Sequence, residues 1–348
     1  MKPKWLIEHF DDRNSTHLLI EEVKRQGYEC KTIEYLPFMS GSTDVFNEWD
    51  CVITQTSINL ALQIQRDKPE WIPGPWMTAA KYKCSEYYAH LGNYLFNDKY
   101  IMMPRSEVLR NIDRLYGWVG NHSHIFMRPD SGLKSFTGKI FDRKNFDADW
   151  KWVEEFTEPS SLVVISTPKD VIGEWRFVVS NKTVITGSQY NIDGKHTCSP
   201  GYPDAAFWLA HEVAQVYQPD AVFVIDICLG GDGKYYLLEI GAFSCAGLYA
   251  CDMQKIVEHM SCQAEVEWEA YNAMNSREFI PHEVPNPDKA YPHCTVCGGR
   301  LMEVRNEPIP SNTSYELPDS MKNRKWLFSG DRCVDCERRV RGSYFEIK

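Results

Sequence analysis

Along this chain, short apolar runs alternate with polar breaks bearing Gly and Pro, and the spacing within the runs switches between a strand period and a helix period. Runs rich in β-branched and aromatic residues predict strands at 4–10 (KWLIEHF), 28–35, 50–55 (DCVITQ), 100–103, 124–128 (HIFMR), 138–141 (GKIF), 161–166, 171–180 (VIGEWRFVVS) and 183–190 (TVITGSQY). Helical spacing predicts helices over 16–26, with Ser15 as N-cap and Gly27 as stop, and over 78–91, capped by Thr78. Further helices are expected over 107–116, 146–156 and 204–217, and 265–274 reads as the end of another. Alternating strand and helix in the first hundred residues predicts a small α/β unit. No GxGxxG follows the first strand, so nothing there points to a dinucleotide.

The pattern is sharpest at 222–250, VFVIDICLGGDGKYYLLEIGAFSCAGLYA. Two strands, 222–228 and 234–240, flank the turn residues Gly230, Gly231, Asp232 and Gly233. Each strand carries one carboxylate inside an apolar run, Asp226 and Glu239. An ionised carboxylate is buried only at a cost of several kcal/mol (roughly) unless a cation or strong donors meet it. Two acids on paired strands, followed by a Gly/Ala/Ser-rich loop, are a way to hold Mg²⁺ against polyphosphate. The same acids would also be stable if they simply faced water.

A second stretch, 124–141, places PDSGLKSFT between two strands and brackets it with Arg128, Lys134 and Lys139. Like charges this close repel unless an anion joins them. The loop exposes backbone N–H groups, and Ser131, Ser135 and Thr137 add donors. That makes a phosphate cradle without Walker spacing, or else a solvated hairpin with a basic tip. On 171–180, Glu174 and Arg176 have the same parity and share one face. Arg176 can meet a phosphate or carboxylate at two points, or pair across the sheet.

Composition adds limits. The 348 residues suit two or three domains, and 43% hydrophobic with 25% charged is ordinary for a soluble globular protein. No apolar run reaches membrane-span length, and Glu8, Asp11 and Asp12 break up the first residues too early for a signal peptide. A net charge of −10 argues against broad nucleic-acid binding by the main body. Of the twelve cysteines, eight are scattered, as in a reduced, cytoplasmic protein. The other four are the CxxC pairs Cys294/Cys297 and Cys333/Cys336, the first followed by Gly298 and Gly299. Two such pairs suit a tetrahedral Zn²⁺ site, with His293 as a possible substitute ligand. A proline-rich linker precedes them. Residues 285–348 carry eleven Lys/Arg against nine Asp/Glu, with basic runs at 322–326 and 338–341 beside Trp326, Phe328 and Tyr344. These runs fit a docking face for protein or nucleic acid, or a plain solvated surface.

The order of these features resembles the ATP-grasp superfamily, most closely its clade with one Arg and two Lys at the nucleotide-phosphate positions, often found in phage genomes. The resemblance rests on MRPDSGLKSFTGK, EWRFVV with TGSQY, and VIDI followed by LLEIGAFSCAGLY, and spans roughly residues 1–265. It implies a mixed α/β and α+β architecture. Residues 1–98 would form a small N-terminal α/β (pre-ATP-grasp-like) domain and 99–275 a two-lobed ATP-binding domain. A linker at 276–290 and a C-terminal zinc ribbon at 291–348 would follow.

The resemblance also implies roles. Arg128, Lys134 and Lys139, with Ser135 and Glu174, would meet the nucleotide. Arg176 and Lys139 would serve the chemistry, and Asp226 and Glu239 would hold Mg²⁺. The cofactors would be ATP, Mg²⁺ and, in the ribbon, Zn²⁺. The activity would be ATP-dependent activation of a carboxylate as an acyl-phosphate and its joining to an amine. Small-molecule or peptide substrates would take part, with a protein or nucleic-acid partner at the ribbon and no membrane. The chain would act in the cytoplasm, that of a host if a phage encodes it.

One position departs from the family pattern. The family usually has Glu-x-Asn, with the Asn on Mg²⁺; here Glu239-Ile240-Gly241 offers no such side chain, leaving water, phosphate or Ser244 to fill the gap. Two alternatives follow: a nucleotide-binding adaptor without turnover, and an ATP-dependent phosphotransferase acting on a small molecule. Lone cysteines such as Cys245 and Cys251 read as small buried hydrophobes rather than nucleophiles.

Overall fold

Trp5, Leu6 and Ile7 are all fully buried, so β1 (Lys4–Glu8) is covered on both faces. That is the signature of a parallel strand, and β1 indeed pairs in parallel with both neighbours. The computed structural model describes residues 1–9, 15–34, 44–275, 301–308, 326–333 and 339–346. It divides into two units, Met1–Ser276 and Arg277–Lys348.

In the first unit β1 is followed by α1 (Thr16–Arg25), β2 (Glu29–Ile33), β3 (Cys51–Gln55), α2 (Ile58–Asp67) and β4 (Ile72–Gly74). The strand order is β2-β1-β3-β4. The helices cover opposite faces of this sheet. Leu19 and Val23 of α1 join one core, and Leu60 and Ile64 of α2 another. Helix α2 has no counterpart in the sequence reading, although Ser57 caps it by accepting from Leu60 N. The expected caps elsewhere are absent. Ser15 sits in left-handed backbone (φ 54°) and makes no capping bond. Thr78 precedes only a short 3-10 turn, Ala79–Tyr82, and its hydroxyl donates to Asp220 instead; the α-helix α3 is Cys84–Leu91.

Next come β5 (Tyr100–Pro104), α4 (Arg105–Trp118), β6 (His124–Pro129), β7 (Lys139–Asp142), α5 (Phe146–Phe156) and β8 (Leu162–Ser166). They form an antiparallel sheet of order β5-β8-β6-β7, packed through Val108, Leu115, Phe141 and Trp150 onto its two helices. A five-stranded antiparallel sheet follows. Its strands are β9 (Val171–Ser180), β10 (Thr183–Ile192), β11 (Lys195–Pro200), β12 (Val222–Gly230) and β13 (Tyr235–Ala242), with α6 (Asp204–Val216) before β12. The order is β11-β10-β9-β12-β13. Strand β11 is another element that the hydrophobic pattern did not reveal; its residues are almost all exposed. The β12–β13 turn closes with Gly230 N donating to Lys234 O and Gly233 at φ +78°, backbone that glycine adopts without strain.

The two faces of this sheet have different fates. Trp175, Phe177, Val179, Phe223, Ile225 and Ile227 pack with Ala206, Ala210, Val213 and Ala214 of α6. On the other face Val178, Val222 and Val224 share a core with α1, β1, β3 and α7 (Met253–Asn275). Helix α7 thus cements the parallel sheet to the five-stranded one; Trp5 Nε1 reaches Ser261 Oγ at 3.2 Å. Among the described residues, no helix is long and apolar enough to cross a membrane.

The second unit contains an antiparallel sheet of β14 (Leu301–Pro308), β15 (Trp326–Cys333) and β16 (Arg339–Glu346). The linker expected at 276–290 and Cys294, Cys297 and Cys336 lie outside the described residues.

Candidate functional site

The site begins with strand register. Arg176 on β9, Asp226 on β12 and Glu239 on β13 are consecutive cross-strand neighbours, because Asp226 opposes Arg176 on one side and Glu239 on the other. Alternation along the strands puts all three on the face that also carries Val178 and Val224, beyond the end of the apolar core. Arg176 closes a two-point pair with Asp226, Nε to Oδ1 at 2.8 Å and Nη2 to Oδ2 at 2.7 Å, with both side chains buried. Its remaining nitrogen, Nη1, donates to Gly247 O at 3.0 Å. Burial works against the guanidinium charge, but Asp226 prevails and lifts its pKa well above the usual arginine value.

The second lobe supplies the other cations. Arg128 on β6 donates to Glu239 Oε1 at 2.9 Å and to Leu238 O at 3.4 Å. Lys134, in the loop after β6, stands 3.9 Å from the same carboxylate oxygen. Its backbone is left-handed (φ 52°) in a turn where Leu133 N donates to Ser131 Oγ. Burial raises the Glu239 carboxyl; Arg128, Lys134 and Arg176 together outweigh that and hold it below the usual glutamate value. A cavity of about 280 Å³ opens here between the two sheets. Gly132, Leu133 and Lys134 line it from one lobe, and Arg176, Val224 and Glu239 from the other.

The remaining expected residues are placed less centrally. Lys139 heads β7 and donates to Asp149 Oδ1 at 2.8 Å, with its ammonium 5.3 Å from the Phe141 ring. Ser135 is exposed on the loop. Glu174 shares the Arg176 face, accepts from Tyr190 Oη at 2.6 Å and Asn191 Nδ2 at 2.8 Å, and is raised in pKa mainly by burial. It is not among the residues lining the cavity. Ser244 is taken up structurally: it is fully buried, and its hydroxyl accepts from Trp76 N at 3.0 Å and Thr54 Oγ1 at 3.3 Å. Burial holds the thiols of Cys245 and Cys251 up at about 12, so neither is ionised near neutrality.

Two residues were not singled out from sequence. Tyr190 and Tyr249 stack at 4.9 Å and 11°, with the Arg176 guanidinium 5.6 and 5.1 Å from their rings. Tyr190 lies within the TGSQY run, but Tyr249 reaches it only through the path of the loop after β13. Among the described residues no group of three or more His, Cys, Asp or Glu is placed to hold a metal. The acids here come as a pair, hard oxygen donors of the kind Mg²⁺ takes beside phosphate and water.

Comparison with known proteins agrees with this architecture. No curated protein matches the chain in sequence. Among solved structures, D-cycloserine synthetase DcsG is 12% identical over 75% of this chain and 99% of that one, with a TM-score of 0.55. D-alanyl-alanine synthetase A from Vibrio cholerae O1 is 11% identical over 77% and 99%, with a TM-score of 0.52. D-alanine–D-alanine ligase from Bacillus anthracis is 11% identical over 78% and 100%, with a TM-score of 0.51. At such identities the likeness is one of fold. The family model for the ATP-grasp domain, R2K clade family 2, matches residues 105–259, the stretch that supplies Arg128, Lys134, Arg176, Asp226 and Glu239. This part of the chain is therefore an ATP-grasp domain.

Proposed function

We propose that the protein is an ATP-dependent ligase that activates a carboxylate as an acyl-phosphate and joins it to an amine. The observation that carries this reading is that Lys134, Arg176 and Glu239 line one cavity between two sheets, with Arg128 hydrogen-bonded to Glu239 and Asp226 to Arg176 directly behind them. Phosphoryl transfer asks a protein chiefly for positioning and for charge against the phosphate oxygens, not for a nucleophile. In the reaction, a substrate carboxylate oxygen attacks the γ-phosphorus of ATP; the new P–O bond forms as the bond to ADP breaks. The amine nitrogen then attacks the acyl carbon, the bond to phosphate breaks, and the nitrogen's proton leaves to solvent.

Within this chain, Arg128 and Lys134 face the nucleotide phosphates. Arg176, already aimed by Asp226 and the two tyrosine rings, faces the transferring phosphoryl group. Lys139 can join them, because its surface pair with Asp149 contributes only about 0–1 kcal/mol. Asp226 and Glu239 would hold Mg²⁺, which when bound neutralises charge on the β- and γ-phosphates. Without ligand each acid is matched by an arginine, so no buried charge is left alone.

The test is calorimetry of ATP and ADP with and without Mg²⁺, followed by ADP release in the presence of fractionated metabolite pools. Mg²⁺-dependent nucleotide binding with metabolite-stimulated ADP release is the expected result. Gly241 is the observation favouring a second reading, nucleotide binding without turnover, and binding with no ADP release under any condition would establish it. A phosphorylated small molecule as the sole product would instead make the protein a phosphotransferase.

We also assign Zn²⁺ to Cys294, Cys297, Cys333 and Cys336. The register of the C-terminal sheet supports this: Leu301, four residues past Cys297, opposes Cys333. The net positive charge of this region fits recruitment of an acidic partner or substrate.

A further inference from the structure

Beside the nucleotide cavity lies a second one, of about 250 Å³, at the carboxyl end of β3. The strand order reverses here: the chain leaves β1 for β2 on one side, and β3 for β4 on the other. Connections diverging in this way leave a crevice at the strand ends, where open α/β sheets place their ligands. The first residues of α1 and α2, Thr16 and Ile58, line it, as do Gln55, Thr56 and Ser57.

Two side chains in this cavity are unfinished. Gln55 is 8% exposed and Thr56 2%, yet Gln55 Oε1 and Thr56 Oγ1 have no hydrogen-bond partner among the described residues. Such groups cost about 1–3 kcal/mol when left unpaired. The orientation of the Gln55 amide is fixed, because its nitrogen donates to the carbonyl of Ala246, which can only accept. No donor among the described residues meets its oxygen, which is left open to the cavity. The charge around the cavity points the same way. Among the described residues that line it there is no cation, and the buried Glu8 carboxylate sits at the start of α2, accepting from Ser57 N at 2.6 Å. That carboxylate offsets the anion preference of the helix N-terminus it meets and favours a protonated amine beside it.

We infer that this cavity binds the amino group of a small primary amine of amino-acid size, which Gln55 Oε1 and Thr56 Oγ1 receive beside Glu8. The inference deepens the ligase reading and rests on it, since it names where the attacking amine is held. Proximity supports it. Ile58, Cys245, Ala246 and Gly247 line both cavities, and Gly247 O is the acceptor of Arg176 Nη1. The two cavities thus adjoin along these four residues, one of which is hydrogen-bonded to the arginine that faces the transferring phosphoryl group.

The experiment uses the full zinc-loaded chain and, as probes, the common amino acids and their decarboxylated amines, followed by thermal shift and calorimetry. The informative variant is Thr56→Val. It removes a hydroxyl that has no partner among the described residues, so the unliganded melting temperature should hold or rise, while amine affinity falls about five- to tenfold, the size of one hydrogen bond. Gln55→Leu should lose more, with Mg²⁺-ADP affinity unchanged in both variants. Equal amine affinity in wild type, Thr56→Val and Gln55→Leu would place the amine elsewhere and overturn the inference. So would Mg²⁺-ADP binding with no response to any amine. Amine binding that follows the variants while Mg²⁺-ADP fails to bind would uphold the cavity assignment and remove the ligase reading alone.

Discussion

Arg176 and Asp226 face each other across β9 and β12 and are joined at two points, 2.8 and 2.7 Å, with the guanidinium lying against two stacked tyrosines. Removing one partner of such a pair strands a buried charge, at about 3–5 kcal/mol, whereas removing both is often nearly neutral. We expect Asp226→Asn to lower unfolding free energy by that amount. The double variant Asp226→Asn with Arg176→Met should recover most of it, and neither should turn over ATP. Urea unfolding beside an ADP-release assay reads both. A double variant as unstable as the single one would show that the pair is not the main role of Asp226.

Among the described residues the Lys134 ammonium has no carboxylate closer than Glu239 at 3.9 Å, whereas Lys139 must leave Asp149 to reach a phosphate. Lys134→Ala should therefore weaken nucleotide binding at least about tenfold, a loss of ~1.4 kcal/mol or more. Asp149→Asn should tighten it, by up to about fivefold, through release of a competing pair of ~1 kcal/mol. If calorimetry shows Asp149→Asn to be neutral or weaker, Lys139 drops out of the phosphate cradle.

Glu239 and Glu174 give opposite pH signatures. The carboxyl of Glu239 is held below its ordinary 4.5, so its contribution to stability is present above that value and is lost as the pH falls through the lowered one. Burial raises Glu174 above 4.5; its contribution is full below 4.5 and fades as the pH climbs through the raised value. In unfolding curves taken across pH, Glu239→Gln should flatten the acid limb. It should also lower neutral stability, by leaving Arg128 unpaired. Glu174→Gln should gain on wild type as the pH rises above 4.5. Parallel curves for all three proteins would contradict both assignments.

Position 241 lies opposite Val224, and a Cβ built there meets Val224 Cγ2 at 3.0 Å. Gly241→Asn alone should cost stability, about 1–3 kcal/mol from overpacking, and Val224→Ala should relieve part of it. In that relieved background a weakened ligase should bind Mg²⁺ more tightly and release ADP faster. An adaptor should show neither change, so ADP release separates the two.

Zinc should be present at one per chain and should leave on denaturation with a chelator. Cys297→Ser should lose it and destabilise residues 277–348, leaving nucleotide binding by the first unit intact. Full zinc content by metal analysis in Cys297→Ser and Cys336→Ser alike would exclude these cysteines as ligands.

The sequence by itself was enough to place a hairpin of strands at 222–228 and 234–240, Val222–Gly230 and Tyr235–Ala242 in the structure, with Asp226 and Glu239 on its two strands, because the β-branched runs and the Gly230–Gly233 turn are local signals. It also put Glu174 and Arg176 on one face of β9, since parity along a strand is set by the backbone alone. Locality is where it failed as well. Ser15 and Thr78 have the right side chains for caps, but tertiary contacts give Thr78 another acceptor, Asp220. Helix α2 went unseen, and with it the crevice at Gln55 and Thr56. Only the tertiary structure decided which cation meets which acid: Arg128 with Glu239 across two sheets, 111 residues apart in the chain, and Lys139 with Asp149 on its own lobe. Partner choice between distant charges depends on how the sheets stack and on what each charge must avoid when water leaves, and neither is written in the spacing of residues along one strand.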